Sequence, residues 1–429
     1  MALPLALLLI LLIAAAWWLF PRLRRVAAIG AAYKAKVLCS VVFGSGRAVD
    51  PDSLEEVSAD SYRLMRLFRW RVDDRARSVT ASLAGFPPRT AVFRGDAGVT
   101  AAPSAWQTAP ASSALDRVVA AAFLEPDRRR LRRTRAMLVV QDGRIVAERY
   151  APGFGEMTRF SGWSMTKSVL GGLVGVLVGE GRLSLRDVEL MPAWRRPDPR
   201  ASIALEDLLR MRSGLEFSEE YADLTSDVIE MLFNQDDAAA YAASRPLIAP
   251  PGTEWSYSSG TTNILSAIVR RRVGDADYPS WPRRALFAPL GMHSALMEPD
   301  ASGTFVASSF MLATARDWAR FGQLYLQDGV WDGRRILPEG WVSFSTTPTP
   351  QSPGGIYGAH WWLGLKPELG GGSAAAARLP RDTFFAVGHE AQVLTVIPSL
   401  RLVVVRLGLS IYLDAWNHAA FLSELLEAV

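Results

Sequence analysis

The chain has 429 residues, a formal charge of +4 and a pI near 9.3, enough length for one large or two medium domains with ample core. So mild a basic excess, with no aromatic or Gly-rich nucleic-acid module beside it, argues against a nucleic-acid partner. One cysteine, Cys39, excludes an internal disulfide, and the four histidines (His293, His360, His389, His418) show no ligand spacing, so no metal or other cofactor is expected.

Residues 3–20 form an 18-residue run without a charge, the short end of a membrane-spanning helix, with Trp17 and Trp18 where an interfacial aromatic belt would sit. A cleaved signal peptide is the alternative. Against it, no Lys or Arg precedes the run, which ends in bulky aromatics and Pro21 instead of small residues. Residues 1–25 therefore read as a single-pass transmembrane anchor. Arg22, Arg24 and Arg25 follow it, and the positive-inside tendency taken alone leaves the bulk of the chain in the cytoplasm.

Residues 26–133 read as an N-terminal extension with few signals: a mixed-charge helical piece near 54–68, and a basic run at 127–135 taken as a solvated helix face at the surface. Organisation sharpens at 134–150, where two strands meet at Asp142-Gly143, a strong hairpin signal. Helical patterns at 205–215, 227–233, 236–243 and 261–272 make an all-helical lobe of about 186–290. A further helix fits 314–329, with Thr314 as cap and Gly329 at its end. Strands return at 384–398 and 401–408, Asp414 is read as the cap of a last helix to Val429, and 370–377 as a mobile low-complexity loop. Strands at both ends with helices between predict an α/β fold of the α+β type. In it, one antiparallel sheet from distant segments is flanked by helices within a catalytic domain spanning 134–429.

The stretch from Phe160 to Leu185 holds the chemistry. Past a polar and aromatic start it is almost wholly apolar, which fits a helix buried on every side, with Gly171, Gly172 and Gly175 letting neighbours approach. Ser164 and Lys167, three apart, share one helical face, so a hydroxyl and an amine meet at the mouth of a buried helix. Only four lysines occur in the chain (Lys34, Lys36, Lys167, Lys366), and lysine, unlike arginine, can lose its proton when desolvated. The bland alternative is a solvated lysine that happens to follow a serine. Tyr257 and Ser259 lie in a turn-rich loop before a helix, and a phenol beside Lys167 is expected to have a lowered pKa and to accept the Ser164 proton. In the third stretch, V-G-H-E-A-Q-V-L-T-V at 387–396, a strand could offer a backbone N–H that pairs with that of Ser164 as an oxyanion hole. His389 is the competing base, although no G-x-S-x-G elbow surrounds a serine.

These stretches, S-M-T-K at 164–167, Y-S-S at 257–259 and G-H-E-A-Q at 388–392, resemble the three boxes of the serine beta-lactamase and penicillin-recognising superfamily. Within it the chain is most similar to the class C related esterases and amidases of the 6-aminohexanoate-dimer hydrolase type, over roughly residues 130–429. The resemblance implies a beta-lactamase-like fold and hydrolysis of small amides or esters. It makes Ser164 the acylated nucleophile, Lys167 and Tyr257 the proton-transfer pair, and the Ser164 and Gln392 N–H groups the oxyanion hole. Ser259, His389, Tyr221 and Trp361 would face substrate. Members are mostly exported, which implies an inner-membrane protein with its catalytic domain in the periplasm. Where beta-lactamases have Lys-Thr-Gly this chain has His389-Glu390-Ala391, so the usual partners of a beta-lactam carboxylate are missing and a cell-wall carboxypeptidase or lactamase is the second choice. A non-catalytic sensor on the same fold is the third.

Overall fold

The computed structural model describes residues 2–47, 54–95 and 106–429, with side-chain surroundings from Trp18 onward. In chain order the elements are α1 (Ala2–Cys39), β1 (Arg69–Asp73), β2 (Ser78–Ser82), β3 (Arg89–Val92), α2 (Ser113–Ala121), β4 (Thr134–Gln141), β5 (Arg144–Tyr150), β6 (Phe160–Ser161), α3 (Met165–Gly179), α4 (Leu205–Leu209), α5 (Asp227–Asn234), α6 (Ala238–Ala243) and α7 (Ser259–Val273). They continue as β7 (Leu296–Met297), β8 (Met311–Ala313), α8 (Ala315–Leu326), β9 (Val330–Trp331), β10 (Arg334–Arg335), α9 (Trp341–Thr346), β11 (Phe384–Gly388), β12 (Gln392–Ile397), β13 (Leu402–Gly408) and α10 (His418–Leu426). Internal contacts divide the described residues into two units, one drawn from 1–43, 48–93 and 220–235, the other from 44–47, 94–219 and 236–429.

In the first unit α1 packs on the antiparallel sheet β1-β2-β3 and on α5. The inner face of α5 meets α1 through Phe233 against Tyr33 (5.2 Å between ring centres) and Glu230 against Arg25 (2.9 Å). This helix of the expected lobe thus packs with the N-terminal segment, its partner lying some two hundred residues upstream. The boundary expected at residue 25 falls inside a helix, because α1 continues unbroken to Cys39. What changes there is exposure: Trp18 to Arg24 are exposed, whereas Ala27, Ile29, Ala31, Ala35 and Leu38 are buried. By length and composition, Trp18–Gly44 could cross a membrane. The Trp17 side chain lies outside the described residues. The piece near 54–68 forms two 3-10 turns, Glu55–Val57 and Asp60–Leu67, and Asp60 at φ 46° interrupts any continuous helix.

In the second unit a five-stranded antiparallel sheet has the order β11-β12-β13-β4-β5, so the C-terminal strands lie beside the early hairpin as the strand pattern predicted. Asp142 (φ 51°) and Gly143 (φ 74°) adopt the left-handed conformation that this two-residue turn demands. Leu394 and Val403 face α8, where Gly322 lets the helix approach so closely that an added Cβ would lie 2.8 Å from each. Val393 and Val404 face the opposite layer, built with Val119 of α2 and with Leu422 and Leu425 of α10. Every residue of β12 and β13 is buried, and a fully buried valine or leucine contributes roughly 1.5–3 kcal/mol, so the sheet is a firm platform for its edge.

Thr314 caps α8 by accepting the Asp317 N–H, and Gly329 closes it at φ 76°, both as expected. Two local readings are corrected. The basic run is not a helix: it is an exposed turn through Arg130, half-buried to Arg133 where the Glu125 carboxylate takes the N–H groups of Arg132 and Arg133, and its last two residues, Thr134 and Arg135, are buried in β4. The last helix is capped by Asn417, which accepts from Ala420 N–H, and not by Asp414. In the glycine-rich loop Gly371 is required by crowding, since a Cβ there would lie 1.8 Å from the Leu365 carbonyl oxygen.

Candidate active site

Ser164 stands where a strand turns into a buried helix. β6 pairs with β8, and Gly162 donates its N–H to the Met311 carbonyl (3.0 Å). Gly162 is required by crowding, since a Cβ there would lie 2.2 Å from the Trp318 ring. Trp163 then takes φ 47°, a left-handed conformation that costs a bulky residue about 1–3 kcal/mol and swings the chain directly into α3. From Met165 to Leu177 every residue of α3 is buried, and Gly175 faces the Trp341 ring with no room for a Cβ (2.6 Å). Ser164 itself is only half-buried, and its N–H lies in the first turn of the helix, where amides have no intrahelical partner.

Lys167, one turn on and almost wholly buried, donates to Ser164 Oγ (2.9 Å), Ser259 Oγ (2.9 Å) and the Ser308 carbonyl (3.0 Å). Three acceptors match the three N–H groups of an ammonium. Asn263 of α7 fixes the Ser308 end by bonding both its N–H and its hydroxyl (3.1 Å each). Behind Ser259 stands Glu219, whose carboxylate accepts the Ser259 hydroxyl (2.5 Å) and N–H (2.8 Å). A polar chain therefore runs from Ser164 through Lys167 and Ser259 to Glu219.

Burial pushes the Lys167 ammonium down to about 8, helped by Lys366 and opposed by Glu219. Burial also pushes the Glu219 carboxyl above the usual carboxylate range. Tyr257 contacts the Ser164 hydroxyl, and its ring lies 5.0 Å from Lys167 Nζ. Its pKa is raised, by burial first and the Glu219 charge second, with only the Ser164 bond acting to lower it. The expected phenolate is corrected: desolvation outweighs the nearby cation, so Tyr257 stays a neutral phenol and Lys167 is the group able to shed a proton near neutral pH.

The third box lies against the first. A Cβ on Gly388 would sit 2.2 Å from the Gly162 carbonyl oxygen, and His389 packs edge-on against Trp163 (5.2 Å). Glu390 and Ala391 both adopt left-handed φ (60° and 62°) before Gln392 enters β12. From behind, buried Arg406 bonds the Glu390 and Ala391 carbonyls (3.3 and 2.8 Å), while the Gln392 side chain ties His389 and Glu390 to Gly408. Burial and Lys366 lower His389 to about 4, so it is neutral at pH 7.

Residues 119–408 match the beta-lactamase family model, more than half of the chain. The chain belongs to the beta-lactamase family. It is 29% identical over 319 residues to a 6-aminohexanoate-dimer hydrolase of Paenarthrobacter ureafaciens, covering 68% of this chain and 78% of that one. Among solved structures it is similar to a penicillin-binding protein homologue from Caulobacter crescentus (TM-score 0.55, 18% identity, 75% and 99% of the two chains covered) and to a family VIII carboxylesterase (TM-score 0.56, 16% identity, 75% and 98%). At those identities the two structures speak to the fold alone. The superfamily read from the three boxes is the one found, and the chain is a serine hydrolase of that family.

One residue expected to face substrate, Trp361, is differently disposed in this family member. Trp361 is fully buried against Tyr325, Phe384 and Phe321, in the core behind the site, while its neighbour Trp362 packs on Tyr257 (5.3 Å). In the run W-W each ring points to a different side, which sequence alone does not resolve. Tyr221 belongs to 220–235, among the residues of the first unit, whereas Glu219, which bonds Ser259, belongs to the second. Glu219, Ser308, Asn263 and Lys366 were missed. Of these only Lys366 carried a usable signal, as one of four lysines.

The electrostatics predict a pH profile. Neutral Lys167 amine is the acting form, and its fraction rises as pH climbs toward about 8. kcat/KM for acylation by an uncharged ester should therefore rise about tenfold per pH unit on the acid side and level off above pH 8. A limb centred near pH 6.5 in a kcat/KM profile would point to a histidine base instead.

Proposed function

We propose that this protein is a membrane-anchored hydrolase of small amides or esters that works through an acyl-enzyme on Ser164. The observation that carries the reading is Lys167 Nζ, buried with a depressed pKa and bonded at once to Ser164 and Ser259. Neutral Lys167 takes the Ser164 proton as Oγ attacks the carbonyl carbon, and the N–H groups of Ser164 and Gln392 receive the oxyanion. The Tyr257 phenol then hands a proton to the leaving amine or alkoxide and regains one from Lys167. Water repeats the sequence to release the acid. The 6-aminohexanoate-dimer hydrolase relative supports this reading. The exposed side chains of Trp18, Leu19, Phe20 and Leu23 and the length of α1 support anchoring, and the catalytic domain is assigned to the exported face of an inner membrane because members of the superfamily are mostly exported.

The test compares a nitrophenyl ester of a short acid with a penicillin. The reading predicts turnover of the ester and, because His389-Glu390-Ala391 offers no Lys-Thr-Gly, at most a slowly released penicilloyl adduct. Rapid penicillin hydrolysis with no esterase activity would replace it with the cell-wall reading.

A further inference from the structure

The first unit holds a cleft that the hydrolase chemistry does not use. It encloses about 740 Å³, within the range of about 300–1,000 Å³ typical of small-molecule sites. Buried Lys34 of α1, Val57, Ser58 and Phe68 form its floor, and exposed Arg66 and Arg69 stand at its rim beside Trp70. Among the described residues the lining thus holds three cations and no carboxylate. The Lys34 ammonium shapes the rim by donating to the Met65 (3.0 Å) and Phe68 (2.7 Å) carbonyls, which pins the turn that carries Arg66 and leads into β1 at Arg69. Among the described residues neither rim arginine has a side-chain hydrogen bond or ion pair, whereas Arg25 is held by Glu230 and Arg89 by Asn234. Unpaired guanidinium groups at the mouth of a basic cleft favour an anion with several oxygens, above all a phosphate.

The position of the cleft in the unit says where that phosphate comes from. The Phe68 ring lies against Gly30, where a Cβ would meet it at 2.5 Å, about 9 Å along α1 from Arg24 at the helical rise. Arg69 pairs with Ser82, and the loop that follows Ser82 brings Phe86 onto Phe20 (6.4 Å, stacked). Arg69 therefore stands at the end of the sheet nearest the exposed apolar stretch of α1. With that stretch in a bilayer, its long side chain reaches the headgroup layer. Next to Arg66, Leu64 and Leu67 are exposed (67% and 65%) and three apart on the 3-10 turn, where such side chains eclipse. An apolar pair beside free arginines suits an amphiphile better than a bare ion. We propose that this cleft binds a phosphate ester, the headgroup phosphate of an anionic phospholipid, with Arg66 and Arg69 on its oxygens and Leu64 and Leu67 against the start of its chains. The lipid assignment rests on the anchoring reading above, whereas the preference for a phosphate ester does not.

Full-length protein in a non-ionic detergent is titrated by calorimetry with dihexanoyl phosphatidylglycerol, with glycerol phosphate, and with dihexanoylglycerol, which lacks the phosphate. The expected result is saturable binding of the phospholipid, at least about tenfold tighter than glycerol phosphate, and none of the uncharged lipid. Arg66→Gln with Arg69→Gln should weaken it by about tenfold or more, and Arg66→Lys with Arg69→Lys should keep most of it, both with an unchanged thermal transition. Undiminished affinity in the Gln variant, or uncharged lipid bound as tightly as phosphatidylglycerol, would overturn the site. Glycerol phosphate bound as tightly as the phospholipid would overturn the lipid assignment and leave a soluble phosphate ester as the ligand. Alkaline extraction of membranes carrying the protein reports separately on anchoring: a protein released by it that still selects phosphatidylglycerol would sink the anchor and not the cleft.

Discussion

Lys167→Ala is expected to slow acylation by at least ~10²-fold, and Tyr257→Phe to do the same, with the double variant little worse than the poorer single one. The reason is that the two groups act on one proton. Lys167 takes it from Ser164, and Tyr257, in contact with the same hydroxyl, passes a proton to the leaving group. Once either link is gone the other has nothing to relay. Lys167→Arg should not rescue, because a guanidinium keeps its proton at any pH at which the protein folds. His389→Ala should cost far less, since a ring packed on Trp163 and neutral at pH 7 has no proton to move in this scheme. Single-turnover rates with a chromogenic ester would measure all five variants. Additive losses for Lys167→Ala and Tyr257→Phe, or His389→Ala as the most damaging change, would mean that a different base operates.

How much of this could be read in the sequence depends on range. The hairpin at Asp142-Gly143, the cap at Thr314 and the buried helix after Ser164 rest on local rules, and each is found. The same local rules misjudged Asp414, because a side chain can cap only where the helix begins, and the turn at 411–417 delays that beginning to His418. Partnerships across hundreds of residues left no local mark. Nothing in D-V-I-E-M-L-F says that it packs on Tyr33, and nothing in F-S-E-E-Y says that Glu219, two residues before the tyrosine singled out, turns to Ser259. The Tyr257 error has a related origin. From sequence only the neighbouring cation was visible, whereas burial and Glu219 decide the direction of the shift. The lysine count, by contrast, was informative twice, at Lys167 and again at Lys366.

Ser164→Ala should lower ester turnover by at least ~10³-fold while leaving the fold in place. The oxygen removed accepts a hydrogen bond from Lys167 at the half-buried mouth of the site, so the stability change should be no more than about 1 kcal/mol, visible as a nearly unchanged thermal transition. The lost activity therefore cannot be blamed on unfolding.

The most direct test of an acyl-enzyme at this position is covalent trapping. The purified full-length protein is treated with a fluorophosphonate, digested, and mapped by mass spectrometry. The mechanism predicts one adduct, on the peptide containing Ser164, formed faster as pH rises toward about 8 and absent from Ser164→Ala. An adduct on another residue, or equal labelling of the Ser164→Ala protein, would contradict it.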